Sequence, residues 1–240
     1  MKKDHRPYYL KRLYQNFQKF YANRYLRPQF DSMGKGGAFM KPWNIELFGG
    51  PIKLGSYPTV IAAPDRKIRL TIWASAENIK GIVIGDYCLI CPGVRIAAAT
   101  EITIGNSCMI ASGAYLTDSD WHDIYDRSLP IGASTPIILK DNVWIGDSAI
   151  VCKGVTIGEN SIIGAGSIVV SDIPANAIAV GNPAKVVKML DPEKKITSRE
   201  EWLSNPRKLA REFDIMDRHQ LNGNTVIGWF RSFFFPKPGD

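Results

Sequence analysis

The sequence has no uninterrupted apolar run approaching the ~20 residues that a membrane-crossing helix needs, so no spanning segment is expected within its 240 residues. Its first residues, MKKDHRPYYLKRLYQNF, are basic but lack the apolar centre of a secretory signal, and a cytoplasmic protein is expected. Histidine is scarce, with His5, His122 and His219 making up the full complement. Cysteine is limited to Cys88, Cys91, Cys108 and Cys152. The first two form a C-x-x-C, yet no second pair or neighbouring histidine completes a zinc set, so no metal is expected. The net charge of +7 is also local: residues 1–27 hold eight Lys or Arg against Asp4 alone, and the remainder balances at zero. The charge describes an arm, and no nucleic-acid-binding motif accompanies it.

What is abundant is a beat of six. In LKDNVWIGDSAIVCKGVTIGENSIIGAGSIVVS, residues 139–171, the aliphatic positions Leu139, Ile145, Val151, Ile157, Ile163 and Val169 fall six apart without slippage. Four places after each come Val143, Ala149, Val155, Ser161, Ser167 and Ile173, mostly small or β-branched. Helices repeat every 3.6 residues and strands every two, so neither accounts for a strict six. A short strand plus a corner does, with three such units closing a triangular turn and the turns stacking at strand spacing. This is the hexapeptide signature of a parallel β-helix. The same beat runs through Ile84, Ile90 and Ile96, then Ile104, Ile110 and Leu116, with two extra residues between the sets. The cysteines fall in register, Cys88 and Cys108 at the small corner position, which favours packing over chemistry. Irregular early turns are expected from about residue 45, where IKLG at 52–55 resembles IVIG and ITIG further on.

The beat breaks after Leu116 and resumes at Leu139, 35 residues after Ile104. One turn of 18 leaves a 17-residue excursion, which must protrude from a corner as a loop. The next inward position falls on His122, within DSDWHD.

Three motifs together resemble the left-handed β-helix acyltransferases of the maltose and galactoside O-acetyltransferase type and the related polysaccharide O-acetyltransferases. They are the histidine-bearing loop, DNVWIG at 141–146 and IPANAIAVGNPAKVVK at 173–188, and the resemblance covers roughly residues 80–190. It implies a left-handed parallel β-helix, an O-acetyltransferase using acetyl-CoA, and a homotrimer with the donor in the groove between subunits. It also implies His122 as catalytic base. Histidine suits that task, since the reaction must take a proton from a weakly acidic alcohol and return one to a thiolate. An acid would orient the imidazole, with Asp120 or Asp118 as candidates and Asp120 nearer in sequence; Asp118 and Trp121 are also candidate substrate contacts. By the same resemblance Trp144, the backbone of Asp147, and Ala165 meet the pantetheine end of the donor. Asn182 and Pro183 would lie by its adenine, and Lys185 and Lys188 by its phosphates. Two residues depart from the pattern. Asp123 stands where the family's commonest loop has proline, and Asp147 where serine is frequent.

Three segments are expected: a basic arm over 1–30, the β-helix over 44–190 with its loop at 117–138, and a helical, aromatic extension over 191–240. Residues 9–25 read as an amphipathic helix, with Leu10, Leu13, Tyr14, Phe17, Phe20 and Tyr21 on one face. Either packing on the coil or peripheral contact with an anionic membrane would use that face. The period turns helical beyond Pro192, with a break at Pro206, and the last residues carry five aromatics that should dock somewhere. Among functions, a zinc hydratase on this scaffold would need three converging histidines, and an ice-binding face would need threonine ranks. The sequence has neither. A sugar hydroxyl is the expected acceptor; N-acylation of an amino sugar, acylation of a serine-type acceptor and a non-catalytic scaffold stay open as alternatives.

Overall fold

The computed structural model describes residues 3–73 and 79–237. Three sheets stack their strands in a fixed rota, as a three-sided coil requires. The first contains β1 (Ser32–Met33), β4 (Ile52–Leu54), β7 (Gly81–Ile84), β10 (Glu101–Ile104), β13 (Ile137–Leu139) and β16 (Thr156–Ile157). The second contains β2 (Ala38–Met40), β5 (Thr59–Ile61), β8 (Leu89–Ile90), β11 (Met109–Ile110), β14 (Trp144–Ile145), β17 (Ile162–Ile163), β19 (Ala177–Gly181) and β20 (Ala184–Met189). The third contains β3 (Ile45–Phe48), β6 (Ile68–Ile72), β9 (Arg95–Ala98), β12 (Tyr115–Thr117), β15 (Ile150–Val151) and β18 (Ile168–Val169). All pairings are parallel except that of β20 on β19. The result is a parallel β-helix, whose strands rise through the three sheets in turn.

The register shows why six works. Leu54, Ile84, Ile104, Leu139 and Ile157 stack in the first sheet, and Val60, Ile90, Ile110, Ile145 and Ile163 in the second. Leu70, Ile96, Leu116, Val151 and Val169 complete the third. These aliphatic ladders are buried and form one continuous core. Cys88 and Cys108 occupy successive coils at the small corner position, their Sγ atoms donating to the carbonyls of Gly105 and Lys140, each at 3.1 Å. Contact with Cys108, and burial, push the Cys88 thiol well above its ordinary range, so it stays protonated and inert.

The coil starts earlier than the sequence pattern suggests. Strands β1 and β2 pair with β4 and β5 ahead of residue 44, with Met33 and Phe39, six apart, stacking on Leu54 and Val60. In the coil that follows, Val60 and Leu70 stand ten apart where their stacking partners Ile90 and Ile96 stand six apart. Four extra residues therefore widen that corner, closed by reciprocal hydrogen bonds between Ala63 and Arg66.

The described chain forms two compact units, Tyr21–Trp202 with the β-helix and a second built from Met1–Phe20 and Leu203–Asp240. Helix α1 (Tyr8–Tyr21) is shorter than the expected 9–25 helix, because the chain from Ala22 to Leu26 widens into a π turn. Beyond the coil come α2 (Arg199–Leu203), α3 (Pro206–Gln220) and α4 (Val226–Phe234). The expected break at Pro206 falls between α2 and α3: the proline opens α3, and the Asn205 side chain caps it by accepting from the Lys208 amide. In the helical unit the Tyr8 hydroxyl donates to Asp214, and Lys11 pairs with Asp217 at 2.7 Å. The Tyr8 and Arg218 hydrogen bonds hold the Asp214 carboxyl below its usual range. Among the described residues no helix is long and apolar enough to cross a membrane.

Candidate active site

The chain leaves the coil after β12, at the corner between the third and first sheets, and returns at β13. Two departures from the six-residue beat meet here. The two extra residues between Ile96 and Ile104 turn the amides of Ala99, Thr100 and Glu101 toward one point. The Asp118 carboxylate fills it, accepting those three amides at 2.7, 2.8 and 2.7 Å and the Thr100 hydroxyl at 3.0 Å. Asp118 is fully buried. Its carboxylate is committed to the corner below, so neither a substrate contact nor the orienting of His122 falls to it.

Above this anchor the loop folds as a short antiparallel arm. Ser119 bridges Ser134, the Asp120 amide donates to Ala133, and Gly132 donates back to Asp120 at 2.7 Å. Gly132 has to be glycine, since a Cβ there would lie 2.4 Å from the His122 carbonyl oxygen. Asp120 does not reach the imidazole either: its carboxylate is ion-paired with Lys153, which projects from the coil above. His122 itself is exposed rather than inward, because the loop departs at Asp118 before the coil reaches that position. Among the described residues no side chain is hydrogen-bonded to its imidazole. Asp123, the departure from His-Pro, accepts the amides of Tyr125 and Asp126, and those two bonds hold its carboxyl below the usual range. It shapes the loop tip.

Trp121 turns back onto the coil, its Nε1 donating to the Thr117 hydroxyl at 3.1 Å and lying 3.4 Å from the Tyr115 hydroxyl. With Pro130 and Ile131 it covers an apolar cavity of about 310 Å³ floored by Phe48, Ile72 and Trp73. The rings of Phe48 and Trp73 stand 4.5 Å apart. This aromatic floor was not legible in the sequence, since Phe48 ends β3 and Trp73 follows β6, in coils whose beat is irregular. An aromatic wall whose Trp121 immediately precedes His122 in the chain is suited to a sugar ring, whose C–H faces pack on aromatics while its hydroxyls stay polar.

The other predicted positions gather on the second sheet and its edge. Trp144, 44% exposed, pairs in register with Ile162, which pairs with Ile178, which pairs with Lys188. One outward row thus runs from the tryptophan to the lysine across three strand spacings, about 14 Å. Lys185 lies on the same exposed strand, and Asn182-Pro183 forms the hairpin tip. Asp147 and Ala165 occupy one corner in successive coils. Among the described residues their amides donate no backbone hydrogen bond, whereas Gly146, Ser148, Gly164 and Gly166 all do. The Asp147 carboxylate accepts from Ser148 at 2.7 Å, so its side chain turns along the corner. The loop and this second group leave the coil at different corners, with the third sheet between them.

The family model for bacterial transferase hexapeptide (six repeats) matches residues 136–171. A putative acetyltransferase of Saccharomyces cerevisiae is 33% identical over 174 residues, 65% of this chain and 85% of that protein. The chain belongs to the hexapeptide-repeat acetyltransferases. A putative acetyltransferase of Schizosaccharomyces pombe is 47% identical over 93 residues, but the match spans 38% of this chain and 45% of the relative's length. The putative colanic acid biosynthesis acetyltransferase WcaF of Escherichia coli is 36% identical over 144 residues, 60% of this chain and 71% of WcaF. Among solved structures, a mutant of the Bacillus cereus N-acyltransferase AntD, in complex with dTDP-4-amino-4,6-dideoxyglucose and coenzyme A, superposes with a TM-score of 0.58. That match is 20% identical and covers 80% of this chain and 94% of AntD, a likeness of fold.

Proposed function

We propose that this hexapeptide-repeat acetyltransferase moves an acetyl group from acetyl-CoA to a sugar hydroxyl, with His122 as general base. The observation that carries the reading is the exposed imidazole of His122, to which no side chain among the described residues is hydrogen-bonded, next in the chain to Trp121 over the aromatic cavity. His122 takes the hydroxyl proton as the sugar oxygen attacks the thioester carbonyl. The C–O bond forms, the C–S bond breaks, and the proton passes from the imidazolium to the departing thiolate. The amides of Asp147 and Ala165 are the donors available to the oxyanion and the pantetheine, since they have no backbone acceptor of their own. Lys185 and Lys188 supply positive charge for the nucleotide phosphates at the far end of the Trp144 row. In this reading the coil is left-handed and three copies associate, so that one subunit's loop faces another's second sheet; the separation of the two groups within one chain supports that arrangement. The relationship to WcaF supports a saccharide of a surface polysaccharide as acceptor.

Isothermal titration of acetyl-CoA tests the donor site. The wild-type chain is expected to bind saturably, and Lys185→Glu to weaken binding by about tenfold at unchanged thermal stability. A folded protein that ignores millimolar acetyl-CoA would refute the reading. The N-acyl alternative, for which AntD is the fold-level precedent, is separated by the product: an ester is cleaved by neutral hydroxylamine, an amide is not.

Attachment to an anionic bilayer surface belongs to the same proposal. The helical unit of Met1–Phe20 and Leu203–Asp240 holds twelve Lys or Arg against five Asp or Glu, which accounts for the whole net charge of +7. Its α4 points Ile227, Phe233 and Phe234 outward, at 84%, 63% and 72% exposure, beyond the groove that Trp229 shares with Leu10 and Leu13. Exposed aromatics within a cationic helical unit have the composition of an interfacial anchor. The full chain is expected to sediment with phosphatidylglycerol-containing vesicles and not with pure phosphatidylcholine, and Phe233→Ser/Phe234→Ser to reduce the bound fraction about fivefold. Equal sedimentation with both lipids, or no effect of the double substitution, would rule the anchor out.

A further inference from the structure

A second cavity, of about 360 Å³, opens at the corner that joins the second and third sheets, on the four-residue insertion between Val60 and Leu70. Four cations line it, Arg66 and Lys67 from the insertion, Arg69 from β6 and Arg95 from β9, against one carboxylate, Asp65. Glu46 lies beside the cavity and is already taken by Lys67 at 2.6 Å and Arg69 at 2.8 Å. Among the described residues Arg66 and Arg95 are in no ion pair; Arg95 instead lies 4.2 Å over the Tyr115 ring. Arg69 and Arg95 are direct register partners on neighbouring strands, an arrangement that repels itself. The floor is kept open by Gly93 and Gly113, both at positive φ, where the corner tolerates no large side chain. Nothing in the fold requires this concentration of guanidinium groups. They do not hold the core, and a hydrophilic corner of this coil could be built from any polar residues.

The cavity is joined to the loop. The Tyr115 ring that carries Arg95 has its hydroxyl 3.4 Å from Trp121 Nε1, and Trp121 precedes His122. From the cavity to the aromatic floor the outer face of the third sheet is one continuous surface.

We propose that this cavity binds a phosphate or diphosphate group of the acceptor, so that the sugar acetylated at His122 is an anionic, phosphate-linked one. The inference rests on the acetyltransferase reading above. Arginine forks match phosphate oxygens pairwise, and Arg66 and Arg95, which no carboxylate among the described residues pairs, provide them here, with Lys67 and Arg69 adding positive charge beside Glu46. A volume of this size accommodates such a group with no need to close over it. Two sources share this chemistry, a soluble nucleotide-diphosphate sugar and a lipid-linked diphosphate sugar.

The test begins with binding of inorganic pyrophosphate to the full chain by titration calorimetry. Saturable binding is expected, weakened at least tenfold by Arg66→Glu, whose side chain makes no contact the fold depends on. Acetyl-CoA affinity and melting temperature serve as controls and are expected to stay put. In transfer assays, UDP-N-acetylglucosamine and a short-chain prenyl-diphosphate N-acetylglucosamine are each compared with free N-acetylglucosamine. At least one diphosphate-linked sugar is expected to show a lower KM, and Arg66→Glu to erase that advantage through KM with kcat retained; whichever is preferred identifies the source. No pyrophosphate binding by protein that still binds acetyl-CoA would overturn the cavity proposal and leave the acetyltransferase reading intact. Pyrophosphate that competes with acetyl-CoA, and is weakened by Lys185→Glu as well, would also overturn it, because the cavity would then be part of the donor site. Failure of acetyl-CoA to bind at all strikes the underlying reading instead.

Discussion

Replacing His122 with alanine is expected to lower kcat for acetyl transfer by about a thousandfold while leaving acetyl-CoA affinity unchanged. General-base contributions generally fall between about 10²- and 10⁴-fold. A value near the middle suits a base on an exposed loop with no acid among the described residues holding its ring. The structure removes both candidates for that acid. Asp118 is buried on the Ala99–Glu101 amides, and Asp120 is paired with Lys153. The imidazole is therefore positioned by its backbone. This makes Gly132 a positioning residue: a methyl group there would collide with the His122 carbonyl oxygen, 2.4 Å from the ideal Cβ, and with that of Asp120 at 3.0 Å. Gly132→Ala is expected to reduce kcat on the order of tenfold with acceptor KM raised, since small displacements of a base are costly. Single-turnover measurements with bound acetyl-CoA would separate these effects from donor binding. If His122→Ala retained more than a tenth of wild-type turnover, another group would have to be the base.

How far the sequence disclosed this site depends on whether each part lies inside the repeat. Within residues 84–169 each aliphatic residue predicted to point inward does so, because a strict period constrains the fold at every sixth position. Trp144 and Lys188 were legible as motif positions, but their common row needed the registers through Ile162 and Ile178. The aromatic floor was not legible. Phe48 follows Leu47, which comes eight residues after Phe39 rather than six, and Trp73 follows Leu70, which the insertion at the basic corner sets ten residues after Val60. The inward position assigned to His122 failed for a related reason. Counting by six presumes that the chain is still in the coil, and it leaves at Asp118. The identity of Asp118 was visible, but its partner was not, because the two-residue bulge and the aspartate lie a full turn apart and meet only when the turns stack. Charge showed the same limits: the basic arm was evident, whereas its union with the C-terminal helices in one cationic unit needed the fold.

Asp118→Ala carries the largest expected effect on stability. A buried carboxylate that accepts three amides and a hydroxyl neutralises a cluster of donors that has no other acceptor among the described residues. Removing it leaves those donors desolvated and unpaired, at a cost of about 3–5 kcal/mol, since the bonds lost are charge-assisted and the groups left behind are buried. For a chain of this size that corresponds to a melting temperature lower by about 10 °C. Asp118→Asn keeps one acceptor oxygen but turns an amide nitrogen toward an N–H donor, so an intermediate loss is expected. Thermal unfolding followed by circular dichroism distinguishes this from a contact with substrate. A structural Asp118 lowers the melting temperature in both variants in the order Ala below Asn below wild type, whether or not acceptor is present. A substrate-binding Asp118 would leave the melting temperature where it is and raise the acceptor KM. The same experiment bears on catalysis, because the corner that Asp118 holds is the root of the loop carrying His122. Turnover measured well below the melting transition should fall in both variants in step with their lost stability, as the root loosens and the base loses its fixed place.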